Sequence, residues 1–424
     1  MSQDLIEKKA PKRLLIVSQH FWPENFRITD IAEGFTEAGI EVDVLCGLPN
    51  YPKGEWFEGY RYTGPRREEY KGIQVFRCGE IRRKGNTALR IFLNYISFPF
   101  FSLFNLPRLA KRKYDAVFCY ETSPVMMMLP AIVYAKTHKI PLTTYVLDLW
   151  PDNLYSVLPI KSKPLRWIVQ KVSNWHYRRS TRLIGMSNAL ADRLQLLYGT
   201  SKKAPSVAMI QNYCEDFYAQ VIHSSALQDR FEGFFTILFA GNFSPAQDLE
   251  NLVQAVRLVK EKGTAAHKLR CLLVGDGMSR ANLEEYIKAQ GVAEFFEFCG
   301  SQPPEDIPKW TNVADVLFAG LLKSENLGLT VPAKITSYFA AGRPLLVAAD
   351  GEAARVALQS GASFVSAASN PQELCNNILR MIHLSDLERK QLGENGREYY
   401  KQHFRRDMLL KQLQDYIFDG IAPK

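Results

Sequence analysis

The chain has 424 residues, 46% of them hydrophobic and 23% charged, which predicts two or three globular domains with ample core. Seven scattered cysteines, with no CxxC and no His/Cys cluster, argue against a disulfide framework or a zinc site and fit a reducing cytoplasm. The net charge of +9 is uneven: residues 1–220 hold 31 Lys+Arg against 20 Asp+Glu, and the remainder 22 against 24.

In chain order, the N-terminal MSQDLIEKKAPKR has no apolar centre, so no signal peptide is expected. Apolar, β-rich runs predict strands over 13–19, 41–46, 73–78, 116–121, 142–148, 181–187 and 207–212. Helical patterns fit between them, among them 28–39, stopped by Gly39, and 187–199. The polar stretch from about 213 to 233 reads as a linker. The second half repeats the alternation in TILFAGNFSPAQDLENLVQAV (236–256), LRCLLVGDGMSRANLEEYIKAQG (269–291), FFEFCGSQPPEDIPKW (295–310), ADVLFAGL (314–321) and VPAKITSYFAAGRPLLV (331–347). Pro332 suits a first helical turn, Gly342 a helix end, and Asn370-Pro371 a helix start. The stretch 394–420 reads as helical. Two doubly wound α/β domains follow, with loops at the carboxyl ends of their strands shaped for a nucleotide and a cleft between the domains as the ligand site.

The order of these second-half motifs resembles the nucleotide-sugar domain of family 4 glycosyltransferases. The departures from the common family pattern resemble the surface-polysaccharide branch that includes fucosamine transferases. The resemblance implies the GT-B fold: residues 1–220 as a membrane-facing acceptor domain, 221–393 as a nucleotide-sugar domain, and 394–424 as a helix crossing back to the first domain.

Candidate residues can be placed on this frame. The loop NLGLTVPAK (326–334) runs into a helix whose free amides and dipole suit a diphosphate. Asn326, Gly328, Leu329, Thr330, Lys323, Lys334 and Ser337 are its donor-site candidates. The family usually has two glutamates separated by seven residues; this chain has Leu329 and Ser337 there, and Ser337 could hold ribose hydroxyls only weakly. Asn242 and Gln247 stand where an Arg and a Lys are common, so phosphate binding is expected to rest on Lys323, Lys334 and backbone amides. Gly241, Gly275 and Gln302 lie at nucleotide-facing turns, and Asn212 matches an asparagine near the linker. In the first half, Glu24, Asn25 and Arg27 form a candidate acceptor or phosphate loop. Asp148 and Asp152 in LDLWPDN, at the end of a strand, could orient or deprotonate an acceptor hydroxyl. An N-cap role competes for Asp152, a solvated surface role for the lysines, and a plain turn for the glycines. No Asp-x-Asp occurs, and no metal or other cofactor is expected.

Within 61–113 there are 13 basic and three acidic residues. The Phe-rich segment 89–113 is broken by Asn94, Ser97, Pro99, Ser102, Asn105 and Pro107, which argues against a spanning helix. Beside Arg82, Arg83, Lys84, Lys111, Arg112 and Lys113 it suits an interfacial segment on anionic lipid; a core helix with a solvated basic end is the competing reading.

The expectation is therefore a cytoplasmic enzyme, peripheral on the inner face of the cell membrane. The family implies a metal-independent transfer that retains anomeric configuration, from a nucleotide-diphosphate sugar, UDP on family grounds. The expected acceptor is a polyprenyl-diphosphate-linked saccharide. A UDP-sugar epimerase of the same fold is the alternative. A nucleic-acid-binding protein is a distant third, because no nucleic-acid module is present and the aromatics lie in apolar runs.

Overall fold

The protein is described from a computed structural model over residues 11–157, 160–201, 204–263 and 268–420. It forms two compact units, one of residues 1–186, 190–210 and 410–424, the other of residues 187–189 and 211–409.

The first unit carries an eight-stranded sheet. Its strands are β1 (Arg13–Val17), β2 (Glu41–Cys46), β3 (Arg67–Tyr70), β4 (Ile73–Arg77), β5 (Ala116–Glu121), β6 (Leu142–Val146), β7 (Arg182–Gly185) and β8 (Ser206–Met209), in the spatial order β3-β4-β2-β1-β5-β6-β7-β8. All neighbours are parallel except the β3–β4 pair. Strands β5 and β6 are buried along their whole length, as expected where helices cover both faces of a sheet. The reading missed β3, REEY, because its four residues alternate exposed and half-buried and carry no apolar run. Helix Ile28–Glu37 buries Ile28, Ile31, Ala32 and Phe35, and Gly39 takes the left-handed backbone that lets the chain turn into β2.

The second unit holds six parallel strands: β9 (Phe235–Ala240), β10 (Leu269–Val274), β11 (Phe296–Gly300), β12 (Val316–Gly320), β13 (Leu345–Ala348) and β14 (Ser363–Ser366), ordered β11-β10-β9-β12-β13-β14. The alternation along each strand divides its core in two. Leu238, Leu272 and Leu317 face one layer, and Ile237, Cys271, Leu273 and Phe318 the other. Gly342 caps helix Ala333–Ala341 in the left-handed conformation, while Pro332 sits at its N-cap rather than inside its first turn. The side chain of Asn370 caps helix Pro371–His383 by accepting from Glu373 N.

The units divide at Ile210–Gln211, ahead of the 220/221 boundary expected from the resemblance. The polar stretch after it belongs to the second unit, where Cys214 N bonds Phe404 O at 3.0 Å. The expected single C-terminal helix is two, Asp386–His403 and Arg406–Phe418. The first stays with the second unit, Arg397 donating to Ala341 O at 3.1 Å. From Leu410 the chain joins the first unit. There Tyr416 meets Ser206 at 3.0 Å and Lys12 lies over the Phe418 ring. Of the seven cysteines, Cys299 is half-buried and the other six are buried; all seven are free thiols.

In both sheets the strand order reverses beside the first strand of the unit, between β1 and β5 and between β9 and β12. The crevice outside the carboxyl ends at such a reversal is where open α/β sheets bind ligands.

Candidate active site

In the second unit the loops after β9 and β10 interlock. Gly241 N donates to Val274 O at 2.9 Å and Phe243 N to Asp276 O at 2.8 Å. A Cβ on Gly275 would stand 1.9 Å from Gly241 O, and one on Gly277 would stand 2.4 Å from Phe243 O. Both positions exclude a side chain, which accounts for the GDG turn. Tyr338, from helix Ala333–Ala341, accepts from Ala240 N at 2.8 Å and pins the end of β9.

Lys334 belongs to the same helix. Its Nζ lies 3.6 Å from the centroid of Phe239 and 3.3 Å from where a Cβ on Gly241 would stand. The residue is half-buried, but its Nζ is buried and has no hydrogen-bond partner, and that burial pushes its pKa well below the ordinary lysine value. The helix start behind it leaves first-turn amides without intrahelical acceptors. An ammonium and a helix N-terminus thus meet beside Gly241, at the β9–β12 reversal.

The other donor-side candidates are placed less centrally. Asn242 is exposed on the β9 loop, and Lys323 is exposed on the loop after β12. Asn326 opens the turn Leu327–Leu329, in which Gly328, Leu329 and Thr330 use their amides on Ser324 O, Asn326 O and Leu327 O. Those three amides are engaged within the turn, so the free amides of the expected diphosphate seat are those of the helix start that follows. Ser337 departs from its expected role. It is nearly buried, and its hydroxyl donates back to Lys334 O at 3.0 Å, a helix-internal bond, so it does not reach out as a ribose ligand would need. Gln302 donates to Cys299 O at 3.0 Å in the turn after β11. Asn212 is half-buried just inside the second unit, on the loop after β8.

In the first unit Asp148 follows β6, and its Oδ2 accepts from Ser123 Oγ at 3.0 Å. Ser123 Oγ in turn accepts from Trp150 Nε1 and Asn153 Nδ2 at 3.0 and 2.9 Å. Burial raises the Asp148 pKa, and the Ser123 bonds oppose that shift. Sequence reasoning missed Glu121, whose buried carboxyl ends β5 near Asp148 and Tyr177; burial first and the Asp148 charge second push its pKa well up. The signal was available, since Glu121 closes an apolar strand at the reversal point. Asp152 opens the short helix Asp152–Val157 and lies 3.6 Å from an Arg193 nitrogen, an ion-pair setting that favours the helix-start role.

The loop after β1 departs from expectation. Glu24 is 3% exposed. Its carboxylate accepts from Asn50 N at 2.8 Å and Tyr51 N at 2.7 Å and meets His20 Nδ1 at 2.9 Å. It clamps two loops together and has no free face for an acceptor. Asn25 is exposed, and Arg27 is half-buried at the N-cap of helix Ile28–Glu37, close enough to Tyr145 to act on its hydroxyl electrostatically.

Arg83 is not on a lipid-facing patch. It is 8% exposed, its Nε donates to Asn94 Oδ1 at 3.0 Å, and its guanidinium lies over Tyr51 at 5.3 Å and Tyr95 at 4.9 Å. Asn94 also joins Gln19 and Glu80 in one buried network. Glu80, another residue the reading passed over, has its pKa pushed up to about 8, by burial first and by Glu24 second. Arg82 pairs with Glu55 at 2.6 Å and Arg112 with Asp43 at 2.5 Å, while Lys84, Lys111 and Lys113 are exposed.

Two family models match in tandem: Glycosyltransferase Family 4 over residues 25–208 and Glycosyl transferases group 1 over residues 225–399. A 2-deoxystreptamine glucosyltransferase of Streptomyces kanamyceticus is 26% identical over 222 residues, 51% of this chain and 54% of that protein. The chain thus spans about half the length of this relative. A putative colanic acid biosynthesis glycosyl transferase of Escherichia coli (strain K12) is 22% identical over 330 residues, 76% of this chain and 78% of that one. Among solved structures, Anabaena Alr3699/HepE in complex with UDP and glucose superposes with a TM-score of 0.67 at 14% identity, covering 97% of this chain and 100% of that one. With two parallel-sheet Rossmann-like units and both family models matched in order, the chain belongs to the family 4, group 1 glycosyltransferases of GT-B fold.

Proposed function

We propose that this glycosyltransferase moves a sugar from a UDP-sugar to a lipid-linked saccharide, with retention at the anomeric carbon and without a metal ion, at the inner face of the cell membrane in surface-glycan assembly. The observation that carries the donor half is Lys334: a buried, unpartnered ammonium at a helix N-terminus beside the glycine-locked β9 and β10 loops. That grouping suits a diphosphate, whose charge would be stabilised as it leaves. In this reading Lys334, beside Gly241, supplies the charge that Asn242 and Gln247 do not. A structural neighbour solved with UDP and glucose supports the choice of nucleotide. A relative named for colanic acid biosynthesis supports the surface-glycan setting.

No nucleophile stands out in this reading. The acceptor hydroxyl attacks from the face the diphosphate leaves, and a departing oxygen takes its proton. Positioning and electrostatics supply most of the acceleration. Asp148, held by Ser123 at the end of β6, is the group proposed to orient the acceptor hydroxyl.

The test is a thermal-shift series with UDP, GDP, dTDP and ADP, each with and without EDTA. A ligand bound only by the folded chain raises its melting temperature. A rise with UDP that EDTA leaves unchanged is expected. A rise that EDTA removes would overturn the metal-free reading, and a rise with another nucleotide alone would overturn the choice of UDP.

A further inference from the structure

Two neighbouring helices of the first unit expose far more apolar surface than folding explains. Helix Ala88–Ser102 and the turns after it present Leu89, Phe92, Ile96, Phe100, Phe101 and Phe104, each 39–66% accessible. Helix Lys163–Tyr177 presents Leu165, Trp167, Ile168 and Trp175, each 40–63% accessible. Contiguous patches of this kind mark interaction surfaces. By length and composition alone the stretch Leu89–Leu109 could cross a membrane. However, its other face is fixed inside the protein: Asn94 bonds Glu80 and Ile81 O, and Ser97 bonds Ile81 N.

Both segments are also purely basic. Residues 82–113 contain eight Lys/Arg and residues 161–182 seven, with no Asp or Glu in either. Lys171 and Arg179 lie over the rings of Trp167 and Trp175, at 5.5 and 3.8 Å, as amphipathic side chains do at a lipid–water boundary.

Between the helices runs a groove of about 450 Å³. Ile96, Phe100 and Leu103 line one wall, Met126 and Leu129 another, and Trp175 a third. His176 also lines it, but its Nδ1 lies 2.8 Å from Val172 O, and burial lowers its pKa, so the groove carries no charge. A flat bilayer would rest on Phe92, Phe104, Trp167 and Ile168, none of which lines the groove. Its volume lies in the range of small-molecule sites, and its walls suit hydrocarbon.

We propose that this groove seats the hydrocarbon chain of a prenyl-phosphate-type lipid, with the cations of both helices holding the anionic headgroup and helix Lys163–Tyr177 serving as a second membrane arm. The proposal rests on the lipid-linked acceptor reading and gives the lipid a place on the fold.

The probe is farnesyl phosphate, titrated into the full-length protein and followed by tryptophan fluorescence. Dimethylallyl phosphate and inorganic phosphate serve as short-chain and chainless controls, and Trp175→Phe localises the signal. Flotation with anionic phosphatidylglycerol vesicles runs in parallel. Saturable farnesyl phosphate binding is expected, at least tenfold tighter than either control, with a spectral change that Trp175→Phe removes. Leu103→Trp, which fills the groove, and Phe100→Asp, at an exposed wall position that leaves the core intact, should each weaken it tenfold while vesicle flotation persists. Trp167→Ser with Ile168→Ser should do the reverse. Farnesyl phosphate binding that is absent, or indifferent to both groove variants, overturns the groove while vesicle flotation leaves the lipid-acceptor reading standing. Loss of flotation as well overturns both. A concentration-dependent dimer abolished by Leu103→Trp would instead assign the groove to a second copy of the chain.

Discussion

Burying the Lys334 ammonium without a partner destabilises the folded chain, and methionine at this site would keep the stem and remove the charge. Lys334→Met should therefore hold or raise the melting temperature while lowering kcat/KM roughly a hundredfold, about 2.7 kcal/mol of transition-state stabilisation. Burial disfavours the charged form of this lysine and an arriving diphosphate favours it, so UDP affinity should fall as pH rises. Titration calorimetry with UDP across a pH series would measure that fall, and the methionine variant should lack it. Asp148→Asn should keep the UDP-induced thermal shift and impair transfer, read as a fall in kcat with an acceptor present. Glu80 gives a prediction about stability. Its folded pKa, about 8, lies above the ordinary carboxyl value of 4.5. The folded state thus retains a proton that the unfolded chain releases, so the contribution of Glu80 is fully present below about pH 4.5 and is lost as pH rises to 8. Glu80→Gln should remove this slope, at most about 1.4 kcal/mol per pH unit, and chemical denaturation at pH 5 and pH 8.5 would measure it.

At the scale of elements, helix Asp386–His403 begins with a capping box in which Ser385 and Glu388 satisfy each other. Ser385→Ala should cost about 1 kcal/mol in a urea titration and leave activity unchanged. The parallel strands were legible because burial on both faces writes them as unbroken apolar runs: 41–46 and 116–121 match β2 and β5 end to end. Strand β3 was not legible, since its pairing with β4 is a tertiary fact that REEY does not encode. The break between the last two helices was hidden for a similar reason. Phe404 and Arg405 carry no Gly or Pro signal, and the chain leaves the helix there to pair Arg405 with Cys214. In the candidate site, the glycines and Lys334 could be read from order and spacing. The inward turn of Glu24, the helix-internal bond of Ser337 and the burial of Arg83 could not, because each depends on partners distant in sequence or on a rotamer.

At the scale of the whole molecule, the basic excess of the first half resolves into different duties. Arg77, Arg83 and Arg112 work inside the unit, on Glu68, Asn94 and Asp43. Around the apolar patch, outward charge is carried by Lys84, Lys111 and Lys113 and by the exposed cations of helix Lys163–Tyr177. Replacing Lys84, Lys111 and Lys113 with Ser should weaken flotation with anionic vesicles by about 1 kcal/mol per lysine at low salt, with a smaller effect as salt rises, and leave the melting temperature in place. The thiols described with the fold have a practical consequence. Burial raises the pKa at Cys46, Cys78, Cys119, Cys271, Cys299 and Cys375, so thiolate is scarce across both units. The native chain should therefore be nearly silent to maleimide reagents. A single cysteine introduced on an outer helix could then carry a fluorophore or spin label in the otherwise wild-type enzyme, and report its distance from a vesicle during turnover.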